Sequence, residues 1–395
     1  MSVHIGIGFS QDLNAEQAAR EAAENAQNKL GFGRIDLAMV FSTTHYDPHT
    51  ALSAIHNTIR CSKLIGCSTA GIILADSIQT RGIAVLAIAS EEIKFGIGLA
   101  KIFDKTDLYQ TGMEFAKNTL KNFGFQGRQV FLSFIDGKIP DHSPFLKGLQ
   151  EILGNIFPII GAGSSDDFYF EKTFQFYQDT ASNNSAVGLI LGGQMGIGVA
   201  GRHGWRPLGK PRIITESDQN IIKKIDGEKA SFLYEDYFQG EADKLYSSLL
   251  SQITILYPLG IYVEGNKEYL LRNPVKVLKD GSIVCQGDIP PGAEIHIMIG
   301  NKDSCKQAAR EAAQEAQKNL LGKKPKLIII IESMTRLKLL GRTAFQEIAG
   351  VKEIFGDDVP MIGMYSHGEI CPFESLEKFR KPLIQNESIV ILAIS

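Results

Sequence analysis

Ile65-Gly66-Cys67-Ser68-Thr69-Ala70-Gly71, Ile160-Gly161-Ala162-Gly163-Ser164-Ser165-Asp166 and Ile362-Gly363-Met364-Tyr365-Ser366-His367-Gly368 are three versions of one short pattern. Each follows an apolar approach (Lys63-Leu64, Pro158-Ile159, Pro360-Met361) and ends in small and polar residues. A buried strand that runs out into a tight turn has this composition. Glycine and serine at such a turn let a ligand approach the main chain closely. The three strand ends are therefore expected to converge on a pocket.

The similarity extends beyond the motif. Gln17-Ala18-Ala19-Arg20-Glu21-Ala22-Ala23 is repeated letter for letter as Gln307-Ala308-Ala309-Arg310-Glu311-Ala312-Ala313. Both stretches read as helices that stop near a glycine, Gly31 or Gly322. A β-rich run follows each, from Ile35 to Ser42 and from Leu327 to Ile331. Then come a second helical stretch, the glycine motif and a last apolar strand, Gly82 to Ile88 or Ser388 to Ile394. A looser middle copy places helices at Asp107 to Gly124 and Ser143 to Leu153, and strands at Gln129 to Phe134 and Ala186 to Leu191. Gly6-Ile7-Gly8, Gly96-Ile97-Gly98 and Gly196-Ile197-Gly198 each begin a short alternating segment, although the third opens no clear repeat.

The expected fold class is α/β, with mixed sheets flanked by helices. It is built from repeated β-α-β-α-β-β units, two in the N-terminal half and one in the C-terminal half, with a β-rich insertion. Turn residues from Gly204 to Pro211 mark a division into domains 1–205 and 206–395. The insertion spans about 213–300. Asp226-Gly227 and Asp280-Gly281 signal hairpins in it, and Pro290-Pro291-Gly292 a sharp turn. One helix is expected there, around Ser231 to Ile253 and broken near Gly240.

A chain of 395 residues with 44% hydrophobic and 22% charged residues has the composition of a globular protein. A net charge of −3, without basic runs, points to neither nucleic acid nor a membrane surface. No apolar stretch approaches the roughly 20 residues of a membrane helix. The five scattered cysteines form no disulfide framework, and Met1 to Ile5 lacks the features of a signal peptide. The expected location is cytoplasmic, without membrane insertion.

The N-terminal half, centred on Ile65 to Gly71, resembles the FIST N domain. The C-terminal half resembles the FIST C domain through Ile225-Asp226-Gly227-Glu228-Lys229-Ala230, Leu271-Arg272, Gly287-Asp288-Ile289-Pro290-Pro291-Gly292 and Tyr365-Ser366-His367-Gly368-Glu369-Ile370. The late Asn386, followed by a strand, matches as well. The resemblance implies a sensory input module of prokaryotic signal transduction that binds small ligands, with amino acids proposed. Such modules are often fused to histidine kinases, cyclic-dinucleotide enzymes or chemotaxis receptors. No residues are left over for an output domain here, so signalling through a partner protein is expected.

The candidate ligand-binding residues come from chemistry. Tyr365, Ser366, His367 and Glu369 crowd the third turn, Tyr365 to cover a ligand, His367 to donate a hydrogen bond and Glu369 to pair with an amine. Their bland reading is core packing for Tyr365 and a helix cap or lysine pair for Glu369. Arg272 offers a fork for a ligand carboxylate, against a plain ion pair. Ser68 and Thr69 belong to the first turn. Asp166, next to Asp167, suits a cation or an amine, or merely caps a turn. His45, His49 and His56 lack metal-ligand spacing and read as solvated. Cys67 reads as packing, because its counterparts Ala162 and Met364 are inert. No catalytic residue, metal or cofactor is assigned. One rival reading is a hydrolase or acyl-transfer enzyme using Ser68 or Ser366, which requires a base within reach. The other is a non-catalytic interaction scaffold, which requires a large apolar surface patch.

Overall fold

The computed structural model describes residues 3–31, 33–103, 107–124, 127–167, 169, 171–237, 256–265, 268–373 and 380–395. The first unit runs β1 (Val3–Ser10), α1 (Ala15–Leu30), β2 (Leu37–Thr43), α2 (Pro48–Thr58), β3 (Leu64–Thr69), the hairpin β4 (Ile72–Leu74) and β5 (Ser77–Gln79), and β6 (Ile83–Ser90). The second repeats that order as β7 (Ile93–Lys101), α3 (Leu108–Phe123), β8 (Arg128–Ile135), α4 (Ser143–Leu153), β9 (Ile159–Gly163), the hairpin β10 (Gln175–Tyr177) and β11 (Thr180–Ser182), and β12 (Ser185–Gly193).

The third unit opens at β13 (Ile197–Arg202), on the N-terminal side of the expected division at 205/206. Its next element, the helix Lys302–Asn319, comes about a hundred residues later. Between them lies a separate sheet of β14 (Arg206–Asp218), β15 (Ile221–Ile225), β16 (Glu228–Lys229), β17 (Leu259–Ile261), β18 (Leu270–Arg272), β19 (Pro274–Val277), β20 (Ile283–Cys285) and β21 (Glu294–Ile299), with the short helix α5 (Phe232–Tyr237). Residues 238–255, where the longer helix and its break were expected, lie outside the described residues. The unit then continues through α6 (Lys302–Asn319), β22 (Leu327–Ser333), α7 (Met334–Leu340), α8 (Ala344–Phe355), β23 (Met361–Phe373), β24 (Lys381–Gln385) and β25 (Ile389–Ile394). Gly196-Ile197-Gly198 thus does open a unit. Its helix was moved out of sight by the insertion.

All three units share one strand order: β1-β6-β2-β3, β7-β12-β8-β9 and β13-β25-β22-β23. In each, the opening strand is antiparallel to the closing strand, and the second and third strands are parallel. Glycines explain why the helices lie so close. A Cβ on Gly6 or Gly8 would strike the carbonyl oxygens of Ala26 and Ala22 on α1, and one on Gly198 would strike that of Ala316 on α6. The alanine faces of α1 and α6 rest on those strands and are fully buried. The inward faces of all three units meet in one core that includes Phe41, Ile65, Leu132, Phe134, Ile160, Ile331, Met364 and Leu392.

The units are stitched together cyclically. β4 pairs with the motif of the third unit (Ile362 to Met364), β10 with that of the first (Ile65 to Cys67), and the β23 extension with that of the second (Gly161 to Gly163). The three glycine turns are thereby drawn to a common centre.

Candidate functional site

The motif glycine has a structural task in every unit. A Cβ on Gly66, Gly161 or Gly363 would lie 1.9, 1.9 or 2.4 Å from the carbonyl oxygen of Val40, Ser133 or Ile330 on the adjacent parallel strand. Glycine is required there by the neighbouring strand rather than by a ligand.

Beyond the glycines the turns do meet, and they fill the centre with their own polar groups. Ser165 N donates to Ser68 O at 3.1 Å and Tyr365 N to Gly71 O at 3.0 Å. The Ser68 hydroxyl donates to Ser165 O at 3.0 Å and accepts from Phe174 N. The Thr69 hydroxyl donates to Tyr365 O at 2.8 Å, and Ala70 N donates to the Ser165 hydroxyl at 2.8 Å. Cys67 lies in the same packing, its sulfur 3.5 Å from that of Met364, and burial pushes its thiol well up. We refer to this centre as the hub. Ser68 and Thr69, expected to face a pocket, are spent on it.

The other expected residues fall into two places. Asp166 accepts from Glu171 N and Lys172 N at 2.7 and 3.1 Å, which closes a turn, and it lies 3.7 Å from His367 Nε2. His367 is buried, and burial pulls its pKa down against the opposing pull of Asp166. Tyr365 packs in the core of the third unit, with its hydroxyl lacking a hydrogen-bond partner; it covers no ligand space. His45, His49 and His56 are exposed, and among the described residues no group of His, Cys, Asp and Glu could hold a metal.

Ser366, Glu369 and Arg272 lie where the insertion meets the third unit, a region we call the seam. Glu369 accepts from the Ser366 hydroxyl at 2.9 Å, and from Ser388 N and its hydroxyl at 3.1 and 2.9 Å. Both its oxygens are occupied, and no lysine or ligand amine is needed. Arg272 is buried and uses its fork internally: Nε donates to Asp288 O, one terminal nitrogen to Leu271 O and Ile384 O, and the other to Asp288 Oδ1. It clamps the insertion to the third unit instead of presenting an open fork.

Around Arg336 on α7 gather four fully buried glutamates, Glu332, Glu347, Glu369 and Glu387. Arg336 is ion-paired with Glu347 and lies 3.4 Å from Glu332. It also donates to the carbonyls of His203, Glu387 and Cys305. One guanidinium cannot neutralise four carboxylates, and buried charge without compensation is costly. Burial accordingly favours the protonated form of Glu332, Glu369 and Glu387. Burial, then the neighbouring Glu347, drives Glu332 well up. Burial raises Glu369 to about 7 against the bonds from Ser366 and Ser388. Burial and Glu369 raise Glu387 to about 8, against weaker pulls from Asn273, Thr335 and Arg336.

Glu387 is the anomaly among them. Its backbone is left-handed, φ 59°, which is rare outside glycine and asparagine. Its carboxyl oxygens make no close hydrogen bond, although the side chains of Asn273 and Thr335 lie near enough to favour its ionised form. Asn386 Oδ1 and Asn273 Oδ1 also make none, although the Asn386 amide nitrogen bridges to Leu271 O and Gln286 O. Buried acceptors without donors are uncommon in folded proteins and call for an explanation. Gly368, at φ 68°, packs beside them: a Cβ there would be in van der Waals contact with Asn386 Oδ1 at 3.8 Å. At the equivalent positions of the other units, a Cβ on Gly71 would press on Tyr365 at 3.0 Å and Asp166 is held in its turn.

Sequence reasoning missed Glu387, Glu332, Glu347, Arg336, Asn273 and Gln286. A signal existed for Glu332, a charge that ends the apolar run Leu327 to Ile331, and for Glu387, which follows the noted Asn386. A larger groove, of about 760 Å³, lies elsewhere, between β13 and the start of β8. None of the expected residues lines it, and within it Arg202 pairs with Glu315.

Among known proteins, a family model described as the FIST N domain matches residues 36–228, and one described as the FIST C domain matches residues 230–372. An uncharacterized protein of Mycobacterium bovis is 23% identical over 382 residues, 94% of each chain. An uncharacterized protein of Methanocaldococcus jannaschii is 24% identical over 260 residues, 61% of this chain and 49% of its own. Among solved structures, a cyanuric acid hydrolase from A. caulinodans aligns over 100% of this chain and 99% of its own, with 7% identity and a TM-score of 0.38. That likeness is too slight to carry an argument.

Proposed function

The chain belongs to the FIST family, a family of signal-transduction sensors, and on that premise we propose that it binds a small ligand at the seam between the insertion and the third unit. The observation that carries this reading is Glu387, a buried carboxyl on a left-handed backbone without a close hydrogen bond, together with the unpaired side-chain oxygens of Asn386 and Asn273. Backbone strain and unsatisfied polar groups collect where function requires them. The hydrogen bonds of Arg272 and Asn386 join the insertion to the third unit at this place. A ligand here shifts the balance between joined and parted arrangements by its difference in affinity for the two. A partner protein reads that shift. Amino acids and related metabolites are the first ligands to try.

Binding is favoured over catalysis because the Ser68 hydroxyl is committed to Ser165 O and Phe174 N. Ser366 does have a carboxyl within reach, Glu369 at 2.9 Å, but both are fully buried and Glu369 is also bonded to Ser388. Thermal-shift screening against amino acids and central metabolites tests the proposal. A ligand of the folded state must raise the midpoint. Loss of that rise in Glu387→Gln, with the fold intact, is the expected result; a rise unchanged by this substitution refutes the placement.

A further inference from the structure

We infer that the groove beside β13 docks an extended segment of a partner protein, which adds to the free edge of that strand with basic residues at its N-terminal end and acidic residues at its C-terminal end. An unpaired sheet edge here borders an open groove of about 760 Å³. Among the described residues, β13 pairs with β25 alone. Ser395 N donates to Gly196 O, and the antiparallel register runs from Ile197 opposite Ile394 to Arg202 opposite Ile389. Successive residues of such a ladder turn their main-chain groups to opposite sides. Gly198, Ala200 and Arg202 therefore bond to β25, while Ile197, Val199 and Gly201 turn theirs outward, and those three line the groove. From that outer side the Asn319 amide donates to Val199 O, and Arg202 to Gly201 O, both at 3.0 Å. Each carbonyl keeps a second lone pair. Among the described residues nothing accepts from the outward N–H groups of Ile197, Val199 and Gly201. Donors repeated at every second residue, roughly 7 Å apart, match the carbonyls of an extended chain rather than one small anion. Ile197 and Val199 are only partly buried against the central core. Ile156, 67% exposed, and Phe157 line the groove from the second unit and offer apolar contacts to the added side chains.

The groove also has a charge direction. α6 runs antiparallel to β13, since a Cβ on Gly198 would strike Ala316 O and one on Gly204 would strike Ser304 O. Glu311 of α6 therefore stands at the far end of β13, one turn beyond Glu315, the partner of Arg202. It takes a bond from Gln307 and pairs with no cation among the described residues. Glu311 also lines a smaller recess, of about 220 Å³, that continues the groove past His203 to Pro207. Arg128 marks the near end. It follows Gly127, whose carbonyl accepts from Gly193 N just before β13, and its exposed guanidinium lies 4.9 Å from the Phe157 ring. In antiparallel addition, the slightly stronger mode, the N-terminal end of the segment meets Glu311 and its C-terminal end meets Arg128. The groove is separate from the seam, and either can fail without the other.

The test is fluorescence anisotropy of a capped, labelled peptide, Lys-Lys-Val-Thr-Val-Thr-Glu-Glu, titrated with the whole protein at low ionic strength. Saturable binding is expected. The same peptide with its central Thr-Val replaced by Pro-Pro loses donors to the ladder and should bind at least ~10-fold more weakly. The reversed peptide, Glu-Glu-Thr-Val-Thr-Val-Lys-Lys, should bind at least ~3-fold more weakly, and Glu311→Lys should narrow that difference. Val199→Pro removes one outward N–H and spares the bonds to β25. It should weaken binding about 3- to 10-fold, the worth of one hydrogen bond. If that variant does not fold, the Pro-Pro peptide decides the same point. Absence of saturable binding by both charge orders overturns the docking site. Equal binding of the Pro-Pro peptide, or binding unchanged in Val199→Pro, overturns pairing with the edge. Equal binding of the two orders, or a preference for the reversed one, overturns the charge direction.

Discussion

The hub, where the three motif turns meet, and the seam, where the insertion meets the third unit, treat polar groups in opposite ways. At the hub, Ser68, Thr69 and Ser165 spend their hydroxyls on the main chain of a neighbouring unit. At the seam, Glu387, Asn386 and Asn273 keep buried oxygens unpaired. Polar groups that satisfy one another hold a fold together, whereas those left waiting identify a place for something else to bind. The motif that first attracts attention in the sequence is therefore architectural, and the site is built from the insertion and from the turn before the last strand.

The contrast can be broken from either side. The largest effect is expected at Arg336. Arg336→Met strips the only guanidinium from Glu332 and Glu347 and should cost about 3–5 kcal/mol in chemical denaturation, the usual result of leaving a buried charge unpaired. Gly66→Ala comes next. Its Cβ would sit 1.9 Å from Val40 O, and the loss should be about 3 kcal/mol. Ser165→Ala removes the 2.8 Å acceptor of Ala70 N and leaves it only the 3.4 Å bond to Tyr365 O, and should cost about 1–3 kcal/mol; a neutral outcome would mean that the hub is not held by its hydroxyls. The smallest effect belongs to Lys147→Ala, which removes an exposed 3.2 Å pair with Asp288 and should change stability by less than about 1 kcal/mol.

Much of the architecture was legible because it is written in periodicity. The duplicated alanine-rich helix, its neighbouring strands and the three glycine motifs all appear in the sequence, and α/β layering follows from them. The cyclic exchange was not legible. It depends on strands such as Ile72–Leu74 and Gln175–Tyr177, too short to show a period. The opening strand of the third unit was visible at Gly196-Ile197-Gly198 but lay a whole inserted sheet away from its helix. At the site, the seam was legible as a region through Arg272, Ser366 and Glu369. Its decisive residue was not, because Glu387 in a late turn reads as a solvated charge, and only the packed fold removes water from it. Tyr365 misled for the converse reason: an aromatic beside a glycine turn reads as a lid, and here it fills the core.

The central contrast predicts a particular response to pH. Glu387 has its pKa raised, from 4.5 unfolded to about 8 folded. Between those values the unfolded chain releases a proton that the folded chain keeps, so stability falls as pH rises, by roughly 1.4 kcal/mol per pH unit for the one carboxyl. Buried His142, His203 and His367 act in the opposite sense below their ordinary range, since burial lowers each of them. Subtracting two proteins that share them removes that contribution. The decisive measurement is the unfolding free energy of the wild type and of Glu387→Gln from pH 5 to 8. The account predicts that the wild type loses ground to the variant steadily as pH rises. A difference that stays flat, or that moves in favour of the wild type, would show a Glu387 already satisfied and a seam no different from the hub.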